Sequence, residues 1–182
     1  MILLGVTGSI AAYKAAEIVR LLVKAGEDVH IIMTAAATRF VGPLTFQALS
    51  GHPVSTDLLD PSAWTMAHLE LTEKASAVLV APATADCLAR LAAGGAGDIV
   101  SASVLALPRN PGGKLKTPVW LAPAMHEAMW RHPATAGHVK TLKGYGYRFI
   151  GPDRGPLSRP DDAGDGRLSE PRVIVETVLK GR

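Results

Sequence analysis

A chain of 182 residues, 48% hydrophobic and 19% charged, is long enough to bury one core and too apolar for intrinsic disorder. Its net charge of +3 comes without a dense basic run or interleaved aromatics, which argues against a nucleic-acid track and favours an anionic small ligand. Cys87 is the only cysteine, so an internal disulfide and a multi-cysteine metal site are both excluded.

Met1 to Val6 reads as a short buried strand running into the turn Gly5-Val-Thr-Gly8-Ser9. This N-terminus lacks the basic flank of a signal peptide, so a cytoplasmic protein is expected. Ile10 to Ala25 has apolar residues at helical spacing (Ala15, Ile18, Val19, Leu22) and is closed by Gly26. Asp28 to Thr34 is a second strand and Thr38 to Leu49 a second helix entered through Pro43, followed by a loop over His52 to Trp64. His68 to Lys74 forms a short helix or turn before a third strand, Ala77 to Ala81. The apolar run from 75 to 85 is broken by small and polar residues and is too short to span a membrane.

A helix from Asp86 to about Ala93 is broken by Gly94-Gly-Ala-Gly97, and Asp98 to Leu107 is a further helix. Pro108 to Lys116 is a polar loop, and Thr117 to Leu121 is a strand that ends in Pro123-Ala-Met-His126. Helical signals follow at Glu127 to Arg131 and at His138 to Gly144. Tyr147 to Ile150 is a strand, Pro152 to Arg167 a long loop rich in Gly, Pro and Asp, and Pro171 to Leu179 the closing helix. Strands alternating with helices imply a single α/β domain over 1–182, a Rossmann-like (flavodoxin-like) three-layer sandwich around a parallel sheet. Ligands in such a fold sit beyond the carboxyl ends of the strands, where the segments after Val6, Thr34, Ala81 and Leu121 all fall.

Taken singly, these segments leave their roles open. Gly5-Val-Thr-Gly8-Ser9 opens a helix and suits a phosphate, but equally suits a tight turn. It is neither G-x-G-x-x-G nor a P-loop. Pro82-Ala-Thr-Ala-Asp86 puts small residues and one hydroxyl where a flat ring can approach backbone amides, and is also an ordinary turn. In Pro123-Ala-Met-His-Glu-Ala-Met-Trp130, His126 can act as base, donor or metal ligand, and Met125 or Met129 can lie on an aromatic ring. The spacing to His132 and His138 is not that of H-E-x-x-H, and no metal is expected. His68 is either a catalytic histidine or part of a helix start.

In order along the chain, these segments resemble the homo-oligomeric flavin-containing cysteine decarboxylases, nearest to the branch acting on phosphopantothenoylcysteine in coenzyme A formation. The resemblance rests on Gly8-Ser-Ile-Ala-Ala-Tyr-Lys14, Met33-Thr-Ala-Ala-Ala37 with Phe40, and His68-Leu-Glu-Leu71. It continues through Ala81-Pro-Ala-Thr-Ala-Asp86, Pro123 to Trp130, and Gly164-Asp-Gly-Arg167 beside a Glu-Pro pair, spanning Met1 to about Pro171. It implies FMN held between subunits of a homotrimer or dodecamer. By match, Gly8, Ser9, Thr34, Phe40 and Ser101 hold or border the phosphate and ribityl chain, and Pro82, Ala83, Thr84 and Met125 line the flavin ring. His68 matches the family's active-site histidine, supplied across a subunit boundary, and His126 is the second catalytic candidate. The implied reaction is oxidation of a cysteinyl thiol to a thioaldehyde, then loss of carbon dioxide to an enethiol, on a small-molecule or peptide substrate with neither nucleic acid nor membrane as partner.

Two positions depart from the family pattern. His126 stands where asparagine normally contacts the substrate carboxylate. The loop from Gly155 to Gly166, where the phosphopantothenoylcysteine branch carries a cysteine that returns hydrogen to the enethiol, contains none, with Ser158 and Arg159 in that neighbourhood. Cys87 reads as a small buried thiol instead. The chain ends at Arg182 with no fused synthetase domain expected. The alternatives are a peptidyl-cysteine decarboxylase that stops at the enethiol, an FMN-binding protein without decarboxylase activity, and a flavin prenyltransferase of the same fold.

Overall fold

The computed structural model describes residues 1–59, 67–157 and 163–182, with the side chains of the second stretch described from 69 onward. Strands β1 (Ile2–Val6), β2 (Val29–Met33), β3 (Val54–Ser55), β4 (Ala77–Ala83), β5 (Val119–Pro123) and β6 (Arg148–Phe149) form one sheet in the order β3-β2-β1-β4-β5-β6. Every pairing in it is parallel. The order 3-2-1-4-5-6 is that of a doubly wound sheet, in which the chain leaves β1 toward one edge and returns at β4 to build toward the other. A crevice therefore opens between the ends of β1 and β4.

Side-chain alternation along the strands divides the core in two. Ile2, Leu4 and Val6 of β1 join the layer beneath α1 (Ala12–Lys24), α2 (Pro43–Ser50) and α8 (Pro171–Gly181), while Leu3 faces the opposite layer. That second layer carries Leu88 of α4 (Ala85–Ala93), Ile99 and Val100 of α5 (Ile99–Leu105), and Leu142 of α7 (Pro133–Gly144). In β4 the alternation slips. Leu79 and Ala81 share one layer, yet Ala83 joins the other, across a register irregularity between Val80 and Ala83. Burial of each large aliphatic side chain contributes about 1.5–3 kcal/mol, so the strands anchor the sheet firmly under the loops at their carboxyl ends.

Helix boundaries follow local chemistry. Proline at the first turn starts α2, α7 and α8. Thr84 caps α4, its Oγ1 accepting from the Cys87 amide at 3.2 Å, and Gly94 in the left-handed region stops that helix. Two expected loops contain strands. The 52–64 segment carries the two-residue edge strand β3, and the glycine-rich 152–167 segment is an antiparallel hairpin of β7 (Asp153–Pro156) and β8 (Ala163–Arg167). The hairpin lacks apolar alternation because it packs through glycines, not through a buried face. Short helices α3 (Ala67–Lys74) and α6 (Glu127–Trp130) complete the chain.

Candidate active site

A cavity of about 900 Å³ opens at the carboxyl ends of β1, β2, β4 and β5, roofed on one side by the β7–β8 hairpin. That volume lies near the upper end of the range for small-molecule and cofactor sites. Its walls bring together Gly8, Ser9, Thr34, Thr84, Met125 and His126 among the residues singled out from the sequence.

The floor is set by Thr7, which the sequence reading passed over. Its buried hydroxyl donates to the Pro82 carbonyl at 2.6 Å and accepts from the Thr84 amide at 3.1 Å. This latch joins the ends of β1 and β4 across the switch point. Beside it the turn after β1 packs against the turn after β2. A Cβ on Gly8 would stand 2.4 Å from the Ala36 Cβ, so only glycine permits that approach.

Hydroxyls around this turn share one arrangement. Ser9 Oγ accepts from the Ala11 amide at 3.2 Å, and Thr34 Oγ1 accepts from the Ala37 amide at 3.2 Å. Each oxygen is thus oriented by its own backbone and keeps a hydroxyl proton to donate. Both groups line the cavity near the start of α1, where the helix dipole favours an anion. Lys14, Arg90 and Arg167 add positive charge to the walls. Arg90 is paired with Asp86 at 2.8 Å, whereas Lys14 and Arg167 share Glu170. The donor set therefore suits a phosphate or carboxylate, and the apolar stretch formed by Ile10, Ala124, Met125, Met129 and Leu168 suits a flat ring.

Other expected residues stand back from the cavity wall. Pro82 and Ala83 are buried strand residues, with Pro82 contributing its carbonyl to the Thr7 latch. Ser101 is buried within the capping box of α5, accepting from the Asp98 amide at 3.2 Å and donating to the Asp98 carbonyl at 3.1 Å. Its hydroxyl is committed to that cap, while Asp98 and Gly97 reach the cavity. Phe40 is half exposed on the turn before α2. His68 belongs to helix α3, but its side chain, like Ser158 and Arg159, lies outside the described residues.

His126 caps α6, with Nδ1 accepting from the Ala128 amide at 3.1 Å. A nitrogen that accepts carries no proton, so the ring bears its N–H on Nε2. The hairpin fixes this segment from above. Gly166 lends its carbonyl to the Met125 amide at 3.0 Å, and Arg131 bridges Glu127 and Asp165 at 2.9 and 2.8 Å.

Cys87 reaches the cavity wall but is almost wholly buried, and that burial pushes its thiol well above the ordinary range, with Asp98 and Asp86 adding to the effect. It is a poor source of thiolate. His126, His132 and His138 form no ligand set. Among the described residues, the one group of three or more metal-capable side chains is Asp28, His30 and His52, outside this cavity. Nor, among those residues, is any helix long and apolar enough to cross a membrane.

The family model named Flavoprotein matches residues 1–181. The coenzyme A biosynthesis bifunctional protein CoaBC of Vibrio cholerae serotype O1 is 47% identical over 175 residues, covering 96% of this chain and 42% of that relative. The chain thus spans about two fifths of the length of that curated relative. Among solved structures, a PPC decarboxylase variant complexed with pantothenoylaminoethenethiol superposes with a TM-score of 0.86 at 27% identity, covering 98% of this chain and 96% of that one. The FMN-dependent cysteine decarboxylase SpaF superposes with a TM-score of 0.77 at 29% identity, covering 98% and 95% of the two chains.

Proposed function

The chain belongs to the flavoprotein family, and on that premise we propose that it binds FMN in the β1–β4 cavity and oxidatively decarboxylates a cysteinyl compound, phosphopantothenoylcysteine foremost. The observation that carries this reading is the donor set of Ser9 and Thr34, aimed from the strand ends into an apolar hollow walled by Met125. Gly8, Ser9 and Thr34 hold the phosphate end, and Thr84 and Met125 lie along the ring, with Pro82 and Ala83 shaping that wall from behind. Ser101 acts at one remove, through the cap that places Asp98 at the cavity.

Bound there, FMN supplies a two-electron acceptor for oxidation of the cysteinyl thiol, the change that primes the adjacent carboxylate for loss as carbon dioxide. The protein's part is orientation. His126 offers its Nε2–H to the substrate carboxylate while its Nδ1 remains tied to the Ala128 amide. A ring N–H held in this orientation positions the carboxylate by a directed hydrogen bond. The β7–β8 hairpin holds that loop in place. In the cytoplasm the protein assembles as a homotrimer or dodecamer, in which His68 and Phe40 serve a neighbouring subunit's site. The exposed apolar side chains Ile10 and Tyr13 at the cavity mouth support a subunit boundary there.

A peptide ending in cysteine is the second candidate substrate, and a specific observation favours it. Cys87 is the only thiol of the chain and is buried, so no accessible thiol returns hydrogen to an enethiol, and the enethiol is the expected product from either substrate. Anaerobic incubation of the flavin-loaded protein with phosphopantothenoylcysteine, and separately with a cysteine-ending peptide, tests the reading. Bleaching of the flavin with a product lighter by carbon dioxide and two hydrogens is expected with one of them. A yellow protein inert toward both would remove the decarboxylase reading, and a chain that does not take up FMN would remove the flavin reading as well.

A further inference from the structure

At the opposite end of the sheet from the cavity, three polar side chains from two segments converge. Asp28 immediately precedes β2, His30 lies within it, and His52 follows α2 just before β3. Both imidazole Nε2 atoms point at one carboxylate oxygen, Asp28 Oδ1, from 2.8 Å for His52 and 3.4 Å for His30. The two rings stack with centroids 4.0 Å apart and planes inclined by 19°. Six residue steps of extended chain, about 20 Å at strand rise, separate Asp28 from the cavity residue Thr34.

We propose that Asp28, His30 and His52 form a binding site for a borderline divalent cation of the Zn²⁺ class. Two imidazoles and one carboxylate are the donors such ions select, whereas Ca²⁺ and Mg²⁺ require oxygen. The spacing agrees. Ligand bonds of about 2.05 Å to a tetrahedral ion imply ligand–ligand separations of about 3.3 Å. Two of the three separations here are 2.8 and 3.4 Å, and all three donor atoms lie within 4.8 Å of one another. Because the rings are nearly parallel, closing them on an ion requires a modest swing of one imidazole. His52, on the turn between α2 and β3 and the more exposed of the two, is placed to make it. On binding, the ion takes the place of the ring protons that face Asp28, and each neutral imidazole carries its proton on Nδ1.

Three protein ligands leave a fourth position for water. The ion would tie the β3 edge, whose strand has only two residues, to the start of the neighbouring strand β2. The sequence gives little warning of this site, since a His two residues after an Asp and another 22 positions on match no familiar spacing.

The test uses the untagged, flavin-loaded protein titrated with Co²⁺ as a spectroscopic probe and with Zn²⁺ while following the melting temperature. One Co²⁺ per chain with visible ligand-field bands, and a higher melting temperature in Zn²⁺, are expected. His52→Ala, a change at a partly exposed turn, and Asp28→Asn should each weaken binding at least tenfold, while His138→Ala leaves it unchanged and flavin absorbance is the same in all. Wild-type protein that shows neither bands nor a shift at millimolar metal overturns the site. So does binding that persists undiminished in both His52→Ala and Asp28→Asn.

Discussion

At the residue scale the site depends on polar atoms whose partners are already fixed. Thr7 spends its proton on the Pro82 carbonyl and its oxygen on the Thr84 amide, so it acts as a fastener between strand ends and offers little to a ligand. Ser9 and Thr34 spend only oxygen lone pairs and keep their protons. Cys87 contrasts with both. It touches the cavity, yet burial holds it in the thiol form. Cys87→Ala is therefore expected to leave both turnover (within about twofold) and product mass unchanged, with a stability loss of about 1 kcal/mol from the vacated sulfur. Mass spectrometry of the product decides the matter. A wild-type product two hydrogens heavier than that of the variant would make Cys87 the hydrogen donor and refute the inert assignment.

At the scale of elements, the β7–β8 hairpin is the part least visible in the sequence. Alternating apolar residues betray strands such as β1 and β4, whose two faces enter two core layers. The hairpin strands Asp153–Pro156 and Ala163–Arg167 have no such pattern, because their contacts are made by missing side chains. A Cβ on Gly164 would meet Glu127 Oε2 at 2.4 Å, and one on Gly166 would meet the Met125 carbonyl oxygen at 2.2 Å. Gly166 also adopts a φ of +136°, which a side-chain-bearing residue strongly disfavours. Gly166→Ala should then cost about 2–4 kcal/mol or detach the hairpin outright. Detachment would free the Met125–His126 loop. Substrate KM is expected to rise tenfold or more while the proposed phosphate site at the ends of β1 and β2 keeps its affinity for flavin. Unchanged KM in a stably folded Gly166→Ala protein would show that the hairpin does not position His126.

Legibility followed the same physics. Buried parallel strands and the glycine-ended helices were readable, whereas α2 and α7 begin at Pro43 and Pro133, five residues away from the expected starts at Thr38 and His138, because apolar spacing marks a helix's buried face and not its first turn. The cavity residues Gly8, Ser9, Thr34, Thr84, Met125 and His126 follow strands and lie in segments that match the family pattern. Ser101 was harder to place, since a capping serine and a ligand-binding serine look alike in sequence. Thr7 and the Asp28–His30–His52 cluster needed the sheet to be closed first, because their partners lie in other segments.

On the scale of the whole molecule, the cavity and the fastenings that hold the helical layers occupy different ends of the sheet. Glu27, between α1 and β2, pairs through both carboxylate oxygens with the Arg182 guanidinium beyond α8. The pair joins α1 and α8, two of the helices that cover one face of the sheet. Hydrogen bonding to Arg182 holds the Glu27 carboxyl below its ordinary value near 4.5, outweighing the opposing effect of burial. A carboxyl depressed in the folded state stabilises the fold above its unfolded pKa, and that contribution fades as pH falls through the lower folded value. Glu27→Gln is therefore expected to lower stability by about 1–2 kcal/mol at pH 6–7, a charge-assisted pair at a partly exposed site. That corresponds to about 2–8 °C in Tm for a chain of this size. As the pH falls below the ordinary carboxyl range and through the lowered folded value, the wild-type protein should converge on the variant. Flavin affinity at neutral pH should not change, because the pair lies at the end of the sheet away from the β1–β4 crevice. Parallel melting curves of the two proteins between pH 2.5 and 7 measure the difference directly. A gap that stayed constant across this range would mean that Glu27 contributes through packing alone and that the ion pair carries no net stability.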